Sequence, residues 1–411
     1  MLKSHNKNIF AILGRHPIHP FPARMAPGIA LDALGENSQS ITVLDPMAGS
    51  GTVLAVARKT GHKAIGYDID PLAVMLGKVW TQSIDAVAVR LRADQVLERA
   101  MHLFGKLPVG QAYPAGSDDE TREFIRYWFD QYARRQLSAL STVISRVHDD
   151  AIRDVLWGAL SRLIITKQAG VSLARDLSHS RPHRHFTHAP RKPFAYFSSA
   201  VDTIIANCPH SGSMDTGPGS VVKLGDARKL DIESNSIDLV LTSPPYLNAI
   251  DYLRCSKFSL VWMGYNVSEL RAIRGESIGA EAALKEASNT DWVNTVIDDL
   301  KLRPALSTRH QAILARYTWD MGQVLAETSR VLRRGGRAVY VVGDSTIRST
   351  FVRNSAIVSA MAARHGLLLL SRQSRSLPAN RRYMPPPNHG VANASMDGRM
   401  RKEVVVVFKK P

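Results

Sequence analysis

The chain has 411 residues, 45% hydrophobic and 22% charged, which excludes a disordered or fibrous polymer and allows either several domains or one enzyme fold with large insertions. Lys and Arg number 53 against 36 Asp and Glu, a formal charge of +17 that suits a polyanionic partner and points to nucleic acid. Two cysteines, Cys208 and Cys255, exclude a disulfide framework; with no membrane-length apolar run and no recognisable export signal, a cytoplasmic location is expected.

In chain order, the first strong pattern is a strand over Ile41 to Leu44, a turn from Asp45 to Gly51 and a helix from Thr52 to Lys59. A second strand, Lys63 to Asp68, and a helix opening at Pro71 complete a β-α-β unit. Residues 81–220 then carry long amphipathic patterns. Over Thr121 to Lys167, Phe124, Trp128, Tyr132 and Leu137 recur at helical spacing and read as core of a helical insertion.

Alternation resumes with strands at Val221 to Leu224 and Ile237 to Leu241, and a mostly helical second insertion covers 252–316. A helix from Tyr317 to Leu332, a strand from Arg337 to Val342 and a helix from Asn354 to His365 follow. The apolar run Glu403 to Phe408 reads as a strand buried on both faces. The expected fold is α/β, a doubly wound and mostly parallel sheet. Its first part is 1–80, the insertion 81–220 and the second part 221–411.

The turn Asp45-Pro-Met-Ala-Gly-Ser-Gly51 needs glycine where a ligand approaches the backbone or φ is unusual. A phosphate loop would place Lys after the last glycine, where Thr52 stands, and a dinucleotide loop would place Gly or Ala at Leu54. Asp68, at the end of the second strand, stands where ribose hydroxyls are met in such folds. A ribose-bearing cofactor without a pyrophosphate remains.

Thr242-Ser-Pro-Pro-Tyr246 follows an apolar strand directly. Its prolines fix φ and remove two N–H donors, so the turn presents acceptors rigidly. An exocyclic base amine is a poor nucleophile because its lone pair is delocalised into the ring. Acceptors for its hydrogens, here Ser243 and the Pro244 carbonyl beside Pro245, favour a localised lone pair. Tyr246 would stack on a base taken out of the helix.

Together these segments resemble the DNA amino-methyltransferases, the family with the N4-cytosine and N6-adenine methylase domain. The turn from Asp45 to Thr52 is similar to that family's cofactor loop, and Ser243 to Tyr246 to its catalytic tetrapeptide. His19-Pro-Phe-Pro-Ala-Arg-Met-Ala-Pro27 resembles the segment beside the methionine part of the cofactor, and Gly225-Asp226-Ala227 the one whose acid meets adenine. The resemblance covers 16–80 and 220–411, including Arg381 to Pro387. It implies the S-adenosylmethionine-dependent methyltransferase fold with that cofactor held by Asp45, Pro46, Ala48, Gly49, Ser50, Gly51, Thr52, Asp68, Asp226, Phe21 and Pro22. Ser at the first catalytic position goes mostly with cytosine N4 in this family, and Asp or Asn with adenine N6 or other amines. Double-stranded DNA with the base flipped out is the implied substrate. RNA is less favoured, and protection from restriction and epigenetic regulation are equally compatible.

Within the insertion, Arg175, Arg181, Arg184, Phe186, Arg191 and Lys192 gather cations around an aromatic, a composition for holding phosphate and stacking a base. A solvated basic loop is the alternative. His179, His183, His185, His188 and Cys208 lack paired zinc-type spacing, so no metal is expected. Neither cysteine sits where an activated nucleophile would, which argues against methylation at cytosine C5. A protein that binds nucleic acid without catalysis would be expected to carry a broken cofactor loop, and this loop is intact.

Overall fold

Two short helices, α1 (Ile9–Leu13) and α2 (Pro27–Leu34), precede β1 (Thr42–Asp45), the glycine turn and α3 (Thr52–Lys59). β2 (Lys63–Asp68) and α4 (Pro71–Thr81) follow, so the β-α-β order read from the sequence is the order found. Asp70 starts α4 by accepting the Leu72 amide at 2.9 Å, and Pro71 takes the first helical position, where no N–H is needed. The computed structural model describes residues 7–22, 24–35, 39–178, 182–209, 217–247, 252–280, 284–301, 306–347, 350–376 and 402–411. It divides into one unit of residues 1–40, 48–224 and 251–274, and another of 41–47, 225–250 and 275–411.

In the first unit β2 pairs in parallel with β3 (Ser220–Leu224), from Ala64 opposite Ser220 to Asp68 opposite Leu224. Between these strands run α5 (Ala86–Lys106), α6 (Asp119–Trp128), α7 (Gln131–Ile144), α8 (Asp150–Ile164) and α9 (Pro193–Ile205). Asp85, Asp118, Asp130 and Asp149 cap four of them by accepting amides of the first turn. α10 (Tyr252–Leu260) and most of α11 (Val267–Glu276) complete the unit.

The amphipathic stretch from Thr121 is therefore several helices, broken where Asp130 caps α7. That break splits its aromatic stripe. Phe124 and Trp128 pack against Phe258 with centroids at 5.2 and 4.9 Å, Leu137 is fully buried, and Tyr132 stays 47% exposed. Two buried guanidiniums meet the carboxyl end of α4. Arg15 donates to the Trp80 carbonyl at 3.2 Å and Arg58 to that of Thr81 at 3.1 Å, where the helix dipole favours a cation.

In the second unit the strands lie in the order β1, β4 (Ile237–Thr242), β5 (Leu332–Gly343), β9 (Lys402–Lys409), β8 (Leu368–Ser376). β4 is parallel to β1 and β5, whereas β9 is antiparallel to both β5 and β8. β6 (Ser345–Ile347) and β7 (Thr350–Val352) form a small separate hairpin. The helices are α12 (Lys285–Ser288), α13 (Asp291–Asp299), α14 (Thr308–Val331) and α15 (Asn354–Arg364).

The fold is thus α/β with a mostly parallel, mixed sheet. The buried apolar run of β9 is where the sequence puts a strand, but a run buried on both faces does not encode direction. Val404, Val405, Val406 and Phe408 are all buried, each contributing about 1.5–3 kcal/mol. Among the described residues no helix is long and apolar enough to cross a membrane.

Candidate active site

In the first unit the turn after β1 is tied to the end of β2. Ala48 donates its amide to the Tyr67 carbonyl at 2.8 Å, and Gly49 donates to Asp68 Oδ2 at 2.7 Å. The other Asp68 oxygen accepts the Asp70 amide at 2.9 Å. The Ile69 amide bonds this carboxylate as well, and three amides on two oxygens still leave it acceptor capacity for a further donor. Gly49 has φ +51° and Gly51 φ +87°, and a Cβ on Gly51 would lie 3.2 Å from the Cα of Gly77 in α4. Gly51 is thus required by backbone conformation and by the close passage of α4, not only by a ligand.

Phe21 and Arg24 of the segment His19 to Pro27 lie beside this turn. The Phe21 ring comes within 3.8 Å of where a Gly49 Cβ would stand, and Pro22 is buried. Arg24 donates to Ser50 Oγ at 3.0 Å and to the His19 carbonyl, and lies over the Trp80 ring. Fully enclosed, His19 is held well below its ordinary pKa by burial and by the Arg162 and Arg24 charges. Its Nε2 is 2.9 Å from Ser161 Oγ, which donates onward to Ser259 Oγ at 2.8 Å, so the neutral ring carries its proton on Nε2. Burial pushes the Asp68 carboxyl up. Asp70, accepting Ser256 Oγ at 2.5 Å, is pushed up to about 7 by burial and by the charge of Asp68.

In the second unit Asp45 ends β1 and accepts Thr242 Oγ1 at 2.7 Å and its own turn's Met47 amide at 3.2 Å; Pro46 behind it is buried. Thr242 ends β4, so this bond ties the last residues of two adjacent parallel strands. Ser243 donates its hydroxyl to the Val341 carbonyl of β5 at 3.2 Å. The Pro245 carbonyl accepts Tyr317 of α14 at 3.2 Å, Pro244 is buried and Tyr246 half-buried.

Asp226, just past β3, is engaged by Arg228, whose Nη2 reaches Oδ2 at 2.6 Å. The same guanidinium donates to Asp320 of α14 at 2.6 Å, and Asp320 has no exposed surface. Burial works against the charge of Arg228, but the Asp226 hydrogen bonds and the Asp320 charge outweigh it and hold the pKa above its ordinary value. Asp226, Arg228, Arg316, Trp319 and Gln323 line a cavity of about 440 Å³.

Of the residues expected to hold a cofactor, Phe21, Pro22, Ala48, Gly49, Ser50, Gly51, Thr52 and Asp68 fall in the first unit, and Asp45, Pro46 and Asp226 in the second, with Ser243 to Tyr246. Arg175, Arg184, Arg191 and Lys192 are exposed on the first unit and Phe186 is half-buried. Arg181, His179 and Arg381 to Pro387 lie outside the described residues. Sequence reasoning missed Arg24, Arg228, Tyr317 and Asp320. Arg228, two residues from Asp226, was within reach of inspection; Tyr317 carries no motif and meets the turn only in the fold. Cys208 is buried and pushed up to about 12, and burial raises Cys255 as well, so neither resembles an activated thiolate.

No family model matches the chain. The type II methyltransferase M.MvaI of Kocuria varians is 22% identical over 434 aligned residues, covering 96% of this chain and 90% of that protein. The type II methyltransferase M.MjaII of Methanocaldococcus jannaschii is 19% identical over 317, covering 58% of this chain and 60% of that protein. Among solved structures, geranyl diphosphate C-methyltransferase of Streptomyces coelicolor A3(2) is aligned over 94% of this chain and 78% of its own, at 9% identity and a TM-score of 0.33. That likeness is too slight to bear on chemistry. The chain is thus similar along nearly its whole length to a type II methyltransferase, and the loop at Asp45 and the turn at Ser243 are the segments by which it resembles the DNA amino-methyltransferase family.

Proposed function

We propose that the protein transfers the methyl group of S-adenosylmethionine to the exocyclic amine of a DNA base, with cytosine N4 as the target. The observation that carries this reading is the bond from Ser243 Oγ to the Val341 carbonyl at 3.2 Å. Because the hydroxyl proton is committed to β5, the Ser243 oxygen faces any incoming group as an acceptor. Tyr317 takes the Pro245 carbonyl, which leaves that of Pro244 as the candidate second acceptor. Two acceptors on one amino group draw its hydrogens into a defined plane and favour lone-pair density on nitrogen. Ser243, rather than Asp or Asn, at the head of the turn favours cytosine over adenine.

The residues of the glycine turn fit the cofactor. Gly49 and Gly51 have backbone conformations that side chains rarely adopt, Asp68 retains acceptor capacity for ribose hydroxyls, and Asp226 lines a cavity with the flat ring of Trp319. Bound S-adenosylmethionine supplies a methyl on a sulfonium whose leaving group is a neutral thioether, so a strong base is not required. The chain's contribution is positioning. Ser243 and Pro244 orient the amine, Tyr246 offers a ring for the extruded base, and Asp45 with Thr242 fixes the strand ends from which both loops leave.

Mass spectrometry of nucleosides from duplex DNA incubated with labelled S-adenosylmethionine, with RNA in parallel, tests the reading. Label is expected in N4-methylcytosine. Label in N6-methyladenine would overturn the inference from Ser243, and label confined to RNA would overturn DNA as substrate. Ser243→Ala is expected to keep cofactor binding by calorimetry and lose turnover roughly 100-fold or more.

A further inference from the structure

We propose that Tyr127, Tyr132 and Tyr196, each carrying a stacked cation from one carboxylate-free segment, form a surface of the helical insertion that grips the phosphate backbone of duplex DNA. This rests on the reading of the protein as a DNA methyltransferase. Between Asp176 and Asp202 the chain has no Asp or Glu. Part of this stretch is pinned over the junction of α6 and α7. His185 and Phe186 donate amides to the Leu173 carbonyl at 2.8 and 3.1 Å, and Leu173 donates to that of Trp128 at 2.8 Å. Ala189 donates to Asp130 Oδ2 at 2.5 Å; the other Asp130 oxygen caps α7, so the acid at the junction is engaged on both sides.

This path brings three cations over three tyrosines. Arg184 lies 5.5 Å from the Tyr127 centroid, Lys192 5.1 Å from that of Tyr132, and Arg191 5.1 Å from that of Tyr196. The rings are 52%, 47% and 41% exposed. Among the described residues none of the three cations is paired with a carboxylate. A cation stacked on a ring keeps its charge and loses part of its rotamer freedom in advance, which reduces the entropy lost when it meets a phosphate. Since a cation already covers a face of each ring, phosphate is a better complement than a stacked base. Phe186, expected from the sequence as the stacking platform, is half-buried and sits perpendicular to the His185 ring with centroids 4.8 Å apart. The surface therefore works by charge along the duplex and not by base stacking.

Anisotropy titration of a short fluorescein-labelled duplex between roughly 50 and 200 mM salt tests this, since each phosphate contact contributes about 0.9 to the slope of log affinity against log salt. The variant Arg184→Gln, Arg191→Gln, Lys192→Gln is expected to lower that slope by about 2 to 3 and low-salt affinity at least about tenfold. The variant Tyr127→Leu, Tyr132→Leu, Tyr196→Leu keeps the charges, so affinity is expected to fall severalfold at unchanged slope. Calorimetry with S-adenosylmethionine checks that both variants remain folded. A cation variant with the wild-type slope overturns the surface, and losses seen on RNA but not on duplex DNA overturn the partner. The binding readout is independent of turnover: a wild-type protein that moves no label into DNA sinks the proposed reaction, while the slope still decides the surface.

Discussion

Tyr317 and Asp320 stand three residues apart on α14 and hold different parts of the proposed site: Tyr317 donates to the Pro245 carbonyl, and Asp320 receives the guanidinium that also grips Asp226. Tyr317 acts by positioning the turn. Tyr317→Phe keeps the ring and deletes one buried hydrogen bond, so the fold should lose only about 1 kcal/mol. Turnover should drop severalfold while cofactor affinity is unchanged, a kcat effect measurable with labelled S-adenosylmethionine.

Arg228 balances a carboxylate that has no exposed surface. Arg316 Nε also lies 3.5 Å from Asp320 and keeps part of its charge balanced, so Arg228→Met should destabilise by less than the roughly 3–5 kcal/mol of a fully broken buried pair, measured by urea unfolding. Asp320→Leu in the same chain should recover part of that loss. An Arg228→Met protein as stable as wild type would show that Asp320 is neutral or that Arg316 alone balances it.

Gly51→Ala places a side chain at φ +87° and 3.2 Å from Gly77 Cα. The left-handed conformation alone costs about 1–2 kcal/mol, and α4 must also shift. The melting temperature should fall, and calorimetry should show weaker S-adenosylmethionine binding because the same backbone forms the turn.

Asp70 gives the protein a pH dependence of definite sign. Its folded-state pKa is raised to about 7, so the folded state holds a proton that the unfolded chain releases near pH 4. Its contribution to stability is therefore greatest below that pH and declines as pH rises to about 7, by up to about 4 kcal/mol. Asp154, raised to about 6 chiefly by burial, acts in the same direction. Asp70 feels the charge of Asp68, and Cys255 and Tyr265 feel the charge of Asp70. Asp70→Asn keeps an acceptor for the Leu72 amide, so its stability relative to wild type should grow between pH 5 and 8 in urea titrations. A constant difference across that range would count against an elevated Asp70.

The stretch from Thr42 to Thr81 was legible because strand, glycine turn and capped helix are local signals with few alternatives. The bounds of α3 and β2 agree with the pattern to the residue. β8 was not legible: Leu368, Leu369 and Leu370 are consecutive and exposed, so neither alternation nor burial marks them as a strand. Without β8, the antiparallel direction of β9 could not be inferred. In the proposed site, Asp68 and the Ser243 turn are marked by residue type and spacing. Tyr317 does not, because its hydroxyl meets Pro245 from 72 positions away and nothing local distinguishes it from a core tyrosine.

The place of β9 between β5 and β8 sets an order of assembly. β8 is made before β9 yet bonds to it in the sheet, so when residues 368–376 first leave the ribosome their ladder partner does not yet exist. Until residues 402–409 arrive, β5 and β8 present unpaired backbone edges, β8 with three adjacent leucines. A chain cut short of residue 402 would keep every residue proposed here for the cofactor and the target base, and it would still leave β5 and β8 with open edges, because the strand that lies between them follows both in the chain.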